Sequence, residues 1–130
     1  MPAPALGSIL RALRERRGLS LRELGQLAEV DHAYIHRLET GAKESPSEDV
    51  LTKLARALKA EKRDSLMLKY LAEHPDTDVG LAMHVLDDQS VTFDVFAGAA
   101  SFAFRGTGRP DYKKMLERVR RILGDDNGHG

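Results

Sequence analysis

His32 and His36 stand four residues apart, the spacing at which one helix face offers two imidazoles to zinc in HExxH peptidases. Ala33 occupies the place of the catalytic glutamate, and no third ligand is evident in the sequence. The chain has no cysteine, which removes thiolate metal sites and disulfides. Nor is there a G-x-S-x-G elbow, or a strand framework to hold one, for Ser-His-Asp chemistry. The expectation is a protein without metal or cofactor that is not an enzyme. What these residues do fit is the edge of a base pair. The guanidinium of Arg37 can bond guanine O6 and N7 together, worth roughly 1–3 kcal/mol of discrimination, and Ala33 can pack against a thymine methyl. His32, Ala33, His36 and Arg37 are therefore the expected base contacts on double-stranded DNA. Arg22, Tyr34, Thr40 and Lys43 border them, carry donors and are the expected phosphate contacts.

Blander roles exist for the same side chains. Arg37 could pair with Glu29 or Glu39, and Tyr34 could be half-buried core. The run Arg11, Arg14, Arg16, Arg17 fits a solvated face better than a DNA clamp, with Glu15 pairing locally inside it. Glu39 reads as structural, since a carboxylate facing phosphates is repelled unless an arginine holds it.

The elements that must position these residues follow from their neighbours. Ser20 and Glu23 have capping-box spacing, and Leu21, Leu24 and Leu27 recur behind them as an apolar side in need of a core. The pattern breaks at Glu29-Val30-Asp31. Asp31 can cap a second helix whose buried side is Ile35 and Leu38, and Gly41 stops it. Helix, tight turn and helix within so short a stretch is the helix-turn-helix unit, whose second helix enters the major groove by its N-terminal part. Leu6, Ile9, Leu10 and Leu13 make an amphipathic helix before it, closed by Gly18. Ser45-Pro46-Ser47 with Glu48 and Asp49 reads as another start, proline in the first turn, continued by Val50, Leu51, Leu54, Ala55 and Leu58. A fifth helix runs from about Asp64 to Glu73 with Met67, Tyr70 and Leu71.

Residues 6 to 61 resemble the phage-repressor/Cro (XRE) family of DNA-binding domains. The resemblance is carried by LRALRERRGLSLRELGQLAE, YIHRLETG and SPSEDVLTKLARAL, in that order. It implies a five-helix DNA-binding domain and a transcriptional regulator. Three positions depart from the family pattern. Gly25 stands where alanine is usual, at a helix-interior cost of roughly 0.5–1 kcal/mol. Glu29 stands where a turn glycine is frequent, strained by about 1–2 kcal/mol if its backbone is left-handed. Leu21 replaces a polar side chain that touches DNA in many members.

The whole chain is neutral, with 20 Lys+Arg against 20 Asp+Glu in 130 residues. The balance is uneven, since residues 1–62 carry a small basic excess and residues 63–130 the matching acidic one. So small an excess predicts modest non-specific affinity and reliance on sequence readout and pairing. The opening MPAPALGSIL lacks a charged stretch before a long apolar run, and no apolar run approaches the roughly 18–20 residues of a membrane span. A cytoplasmic protein without a membrane partner is expected.

The expected fold class is all-α, with a DNA-binding domain over 1–73, a linker at 74–78, a small helical region over 79–123 and a disordered tail at 124–130. Val79 to Leu86 reads as a helix. Phe93, Phe96, Ala97, Ala100 and Phe104 fit a second, although Val91, Phe93 and Val95 alternate and leave a strand open. Arg105 to Pro110 is a turn, after which Asp111 caps a helix striped by Tyr112, Met115, Leu116, Val119, Ile122 and Leu123. That region is too small to bury its apolar surface alone. The economical solution is a homodimer through Phe93, Phe96 and the stripe of the last helix, and the alternative is packing back onto the first domain. Ala97-Gly98 is the dipeptide type that self-cleaving repressors cut, but the residues after it read as helical rather than as a β-rich peptidase, so self-cleavage is not expected.

A second resemblance covers Phe104 to Leu123, FRGTGRPDYKKMLERVRRIL, which is similar to the C-terminal dimerisation region of stress-response repressors of the DdrO kind. It implies a zinc metallopeptidase partner of the IrrE/ImmA kind and a cut near Phe104-Arg105. Other small members of the XRE family are antitoxins, which repress their own operon and hold a toxin through the C-terminal region. The sequence leaves both open.

Overall fold

Short polar side chains begin most of the helices. In the computed structural model, which describes residues 4–42, 46–102 and 111–124, eight helices account for the regular structure. They are α1 (Ala5–Arg16), α2 (Leu21–Ala28), α3 (His32–Thr40), α4 (Glu48–Ala57), α5 (Lys62–Glu73), α6 (Val79–Asp87), α7 (Phe93–Ser101) and α8 (Tyr112–Ile122). The Ser20 hydroxyl accepts from Glu23 N–H at 3.0 Å while the Glu23 carboxylate accepts from Ser20 N–H at 2.8 Å, a closed capping box. Asp31, Ser47, Asp78, Thr92 and Asp111 cap α3, α4, α6, α7 and α8 by a single side-chain acceptor, without the reciprocal bond of the box, each satisfying a backbone donor the helix itself leaves over. The cap at Thr92 decides the open question at Val91-Phe93-Val95 in favour of a helix. Pro46 is buried and precedes the Ser47 cap, so it lies outside α4 rather than in its first turn. Helix α5 starts two residues earlier than its apolar pattern indicates, because Glu61 enters it in extended backbone without a side-chain cap.

Helices α1, α2, α3 and α4 pack as a bundle around Ile9, Leu10, Leu24, Ile35 and Leu54, all fully buried. Gly7 lets α1 and α3 touch: a Cβ there would lie 2.5 Å from the carbonyl oxygens of Leu38 and Glu39. Of the three leucines expected to face the core from α2, only Leu24 does so fully, Leu21 is half-buried and Leu27 is 58% exposed. Each three-residue step turns the side chain about 60° back around a helix, so 21, 24 and 27 cannot share one narrow stripe. The buried line runs through Leu24 and Ala28 instead.

Residues 74–78 do not separate two cores. Helix α6 packs on α1, α7 on α5, and α8 on α7, and a single apolar cluster runs from Ala5 to Val119. Phe96, Leu116 and Val119, expected on a pairing surface, fill this core within the protomer. Two polar clamps fix the joint. The Arg63 guanidinium pairs with buried Asp64 at 2.9 Å and donates to the carbonyls of Leu86, Asp88 and Val91, tying the first turn of α5 to the α6–α7 turn. Arg16 on α1 pairs with Asp87 at the end of α6. With this face of the N-terminal bundle available to cover α6 and α7, packing back within the protomer competes with packing between copies.

Candidate nucleic-acid interface

Helix α3 is held by one side and open on the other. Ile35 and Leu38 are buried against α1 and α2, and Gly41, in a left-handed conformation, closes the helix. On the opposite face His32, Ala33, His36 and Arg37 are all exposed, so the four expected base readers share one uncovered surface at the N-terminal part of the helix. Among the described residues no group of three His, Cys, Asp or Glu side chains could hold a metal ion. Arg37 is exposed and makes no ion pair among the described residues. The pairing with Glu39 weighed above does not form because Arg14 occupies that carboxylate.

The Arg14–Glu39 pair is the main feature missed in the sequence. Arg14 Nε lies 2.7 Å and Nη2 3.0 Å from the two Glu39 oxygens, and Nη1 donates to the Leu19 carbonyl at 2.8 Å. The side chains are only 13% and 5% exposed. Hydrogen bonding to Glu39 raises the Arg14 guanidinium above its ordinary pKa, against the burial that lowers it. Arg14 thus stands apart from the solvated face expected of the α1 arginines, whereas Arg11 pairs locally with Glu15 at 3.1 Å as anticipated. The signal for a structural acid existed in Glu39 itself; nothing in the spacing singled out Arg14 among four arginines.

The phosphate candidates surround this face unevenly. Arg22 is exposed on α2, and lines a shallow cleft with Gln26, Asp31 and His32. Tyr34 is half-buried and packs against the core. Thr40 is exposed at the end of α3, its hydroxyl donating to the Arg37 carbonyl at 3.3 Å. Lys43 lies outside the described residues, as do Phe104 and Arg105.

The turn between the two helices accounts for two of the family departures. Glu29 is left-handed, with φ 59° and ψ 43°, as its place in the turn requires. Gly25 is a fit rather than a pure cost: a Cβ there would stand 2.7 Å from the Val30 carbonyl oxygen and 3.2 Å from the His32 Cβ. The glycine lets the start of α3 close down on α2, which sets the angle at which the exposed face is offered.

The expected pairing residues are largely spent inside the protomer. Phe93 is half-buried and stacks edge-on with Tyr70 at 6.1 Å, and Phe96 does the same at 5.4 Å. Tyr112 donates to the Asp78 carboxylate at 2.8 Å. Met115 is half-buried, and only Ile122 and Leu123 stand out, 64% and 51% exposed.

Residues 5–66 match the family described as a helix-turn-helix domain. Among solved structures, the crystal structure of the clp gene regulator ClgR from C. glutamicum is similar, with 39% identity over 51% of this chain and 84% of that one, at a TM-score of 0.44. No curated protein matches the chain.

Proposed function

On the premise that this chain belongs to the helix-turn-helix family through residues 5–66, we propose that it is a sequence-specific transcriptional repressor that binds a palindromic operator as a dimer. The observation that carries this reading is the exposed quartet His32, Ala33, His36 and Arg37 on a helix whose other side is locked by Ile35, Leu38 and Glu39. A rigidly seated helix with exposed donors at its N-terminal part is the geometry that reads a major groove. Four side chains read only a few base pairs, and the basic excess of the N-terminal half is small, so one domain binds weakly. Two copies on half-sites about 34 Å apart, one turn of duplex, combine two weak readings into one firm one. Occupying a promoter in this way blocks transcription.

Selection of bound sequences from a random DNA pool at near-physiological salt tests the reading. The expected result is an inverted repeat spaced by about one helical turn, bound far more tightly than a single half-site. Equal affinity for all sequences would overturn it.

A further inference from the structure

His32 stands at a corner of the open face of α3, and its ring also walls the shallow cleft between α2 and α3. That cleft measures about 310 Å³ and is lined by Arg22, Gly25, Gln26, Val30, Asp31 and His32. Its charges cancel. Arg22 brings one positive charge, Asp31 one negative and Gln26 none, so the proton of His32 decides whether the cleft is neutral or positive. Among the described residues, the charged groups next along the chain do not line it. The Glu23 carboxylate accepts from Ser20 N–H at 2.8 Å, Glu29 is exposed in the turn, and His36 and Arg37 are exposed one turn further along α3.

Asp31 and His32 make a weak pair by themselves. Asp31 Oδ1 accepts from Ala33 N–H at 3.0 Å and lies 4.0 Å from His32 Nδ1, too far for a direct hydrogen bond. The two side chains are 68% and 47% exposed, and a pair so open to water contributes little. A second anion changes this balance. A duplex read by the open face of α3 brings its phosphates to the rim of that face, where the cleft lies.

We propose that DNA binding by this protein is linked to a proton on His32. The charged imidazole, together with Arg22, meets a backbone phosphate at the α2–α3 cleft, whereas the neutral imidazole leaves Arg22 offset by Asp31. The proposal rests on the DNA-binding reading given above and adds its regulation by pH. Linkage fixes the sign. A phosphate favours the charged ring, so DNA strengthens the hold of His32 on its proton, and the proton strengthens the hold on DNA by the same factor. Binding is therefore tightest where imidazole is protonated and weakens as pH rises through the range of imidazole titration, about 5 to 8. A difference of half to one pKa unit between the free and bound states corresponds to roughly three- to tenfold in affinity. Because the contact is with phosphate, the gain appears on any sequence and steepens the salt dependence by about 0.9 per protomer.

The test is binding of the full chain to a duplex of mixed sequence by fluorescence anisotropy, from about pH 8 to about pH 5.5 and over a range of salt. It compares the wild type with His32→Gln, His36→Gln and Asp31→Asn. All three positions are exposed, asparagine can still cap α3, and circular dichroism checks that each variant stays helical across the range. The expected result is a wild type that binds roughly three- to tenfold more tightly at the acid end, with a steeper salt dependence there. His36→Gln should keep both responses and His32→Gln should lose most of each. Asp31→Asn should bind more tightly than the wild type already at the alkaline end, since Arg22 is then unopposed, and gain further on acidification. A wild-type affinity that does not change with pH, or a response that survives in His32→Gln, would overturn the assignment and leave the DNA reading standing. Failure to bind any duplex at either end of the range would remove the DNA reading itself.

Discussion

Arg14 and Glu39, twenty-five positions apart, meet as a two-pronged ion pair that joins the last turn of α1 to the last turn of α3. Neither side chain is on the open face of α3, yet together with Gly7 they set how that face is held. Removing one partner leaves the other charge buried and unpaired, a loss of about 3–5 kcal/mol, whereas replacing both with apolar groups of similar volume is often close to neutral. Urea unfolding of Glu39→Ala, Arg14→Met and the pair Arg14→Met with Glu39→Leu is expected to follow this order. The double variant should recover most of the single-variant loss. Additive losses would mean that the pair is a bystander to the packing around it.

Arg37 and Arg22 are expected to separate two kinds of contact. Arg37→Ala should relax preference at one operator position by roughly 1–3 kcal/mol, the worth of a two-bond contact to guanine. Arg22→Ala should weaken binding to operator and random DNA alike, and lower the salt dependence of both. A gel-shift series over operator variants and salt concentrations reads both effects. Equal losses on specific and random DNA for the two variants would reverse the assignment.

The alkaline limb of stability should belong in part to Tyr112. Burial pushes its phenol up to about 12, and the hydrogen bond to the Asp78 carboxylate adds to the rise. A folded pKa above the unfolded value of 10.0 means the neutral phenol is favoured by folding. That stabilisation is whole below pH 10 and is lost as pH rises from there through about 12. Burial raises the Tyr70 phenol as well, so the measurement is the difference between wild type and Tyr112→Phe in phenolate absorbance and in denaturation across that window. The variant should be less stable at neutral pH and lose less on going alkaline. Identical alkaline limbs would sink the assignment.

Helix starts were the most legible part of the chain, because caps are local: Ser20, Asp31 and Asp111 act on donors within three residues of themselves. The open face of α3 was legible for the same reason, once Ile35 and Leu38 were assigned inward. The fate of residues 79–123 was not. An apolar stripe says that a helix needs covering and is silent on whether the cover lies in the same chain or in another. Here Phe96 and Val119 found it in the same chain, through contacts spanning dozens of residues that no periodicity encodes. Arg14 was hidden by redundancy, one arginine among four, distinguished only by where α1 lies on α3.

Glu29 offers a stabilising substitution at the heart of the motif. Its backbone is left-handed, φ 59°, and its side chain is exposed. A non-glycine residue in that conformation costs about 1–2 kcal/mol. Glycine removes the strain but gives the unfolded chain extra freedom worth roughly 0.5–1 kcal/mol. The strain is the larger quantity, so Glu29→Gly should raise stability by up to about 1 kcal/mol, while Glu29→Ala, which keeps the Cβ, should give no gain. Lys59, left-handed at φ 53° after α4, provides an internal control outside the α2–α3 turn: Lys59→Gly should behave alike. At Glu29 a second effect follows from charge, because loss of a carboxylate beside the start of α3 should tighten DNA binding at low salt, and the same change at Lys59 should not. Urea midpoints read the first effect and gel shifts the second. Destabilisation of Glu29→Gly to the level of Glu29→Ala would mean that the turn is held by its hydrogen bonds, Val30 N–H to the Gly25 carbonyl among them, with no strain to release.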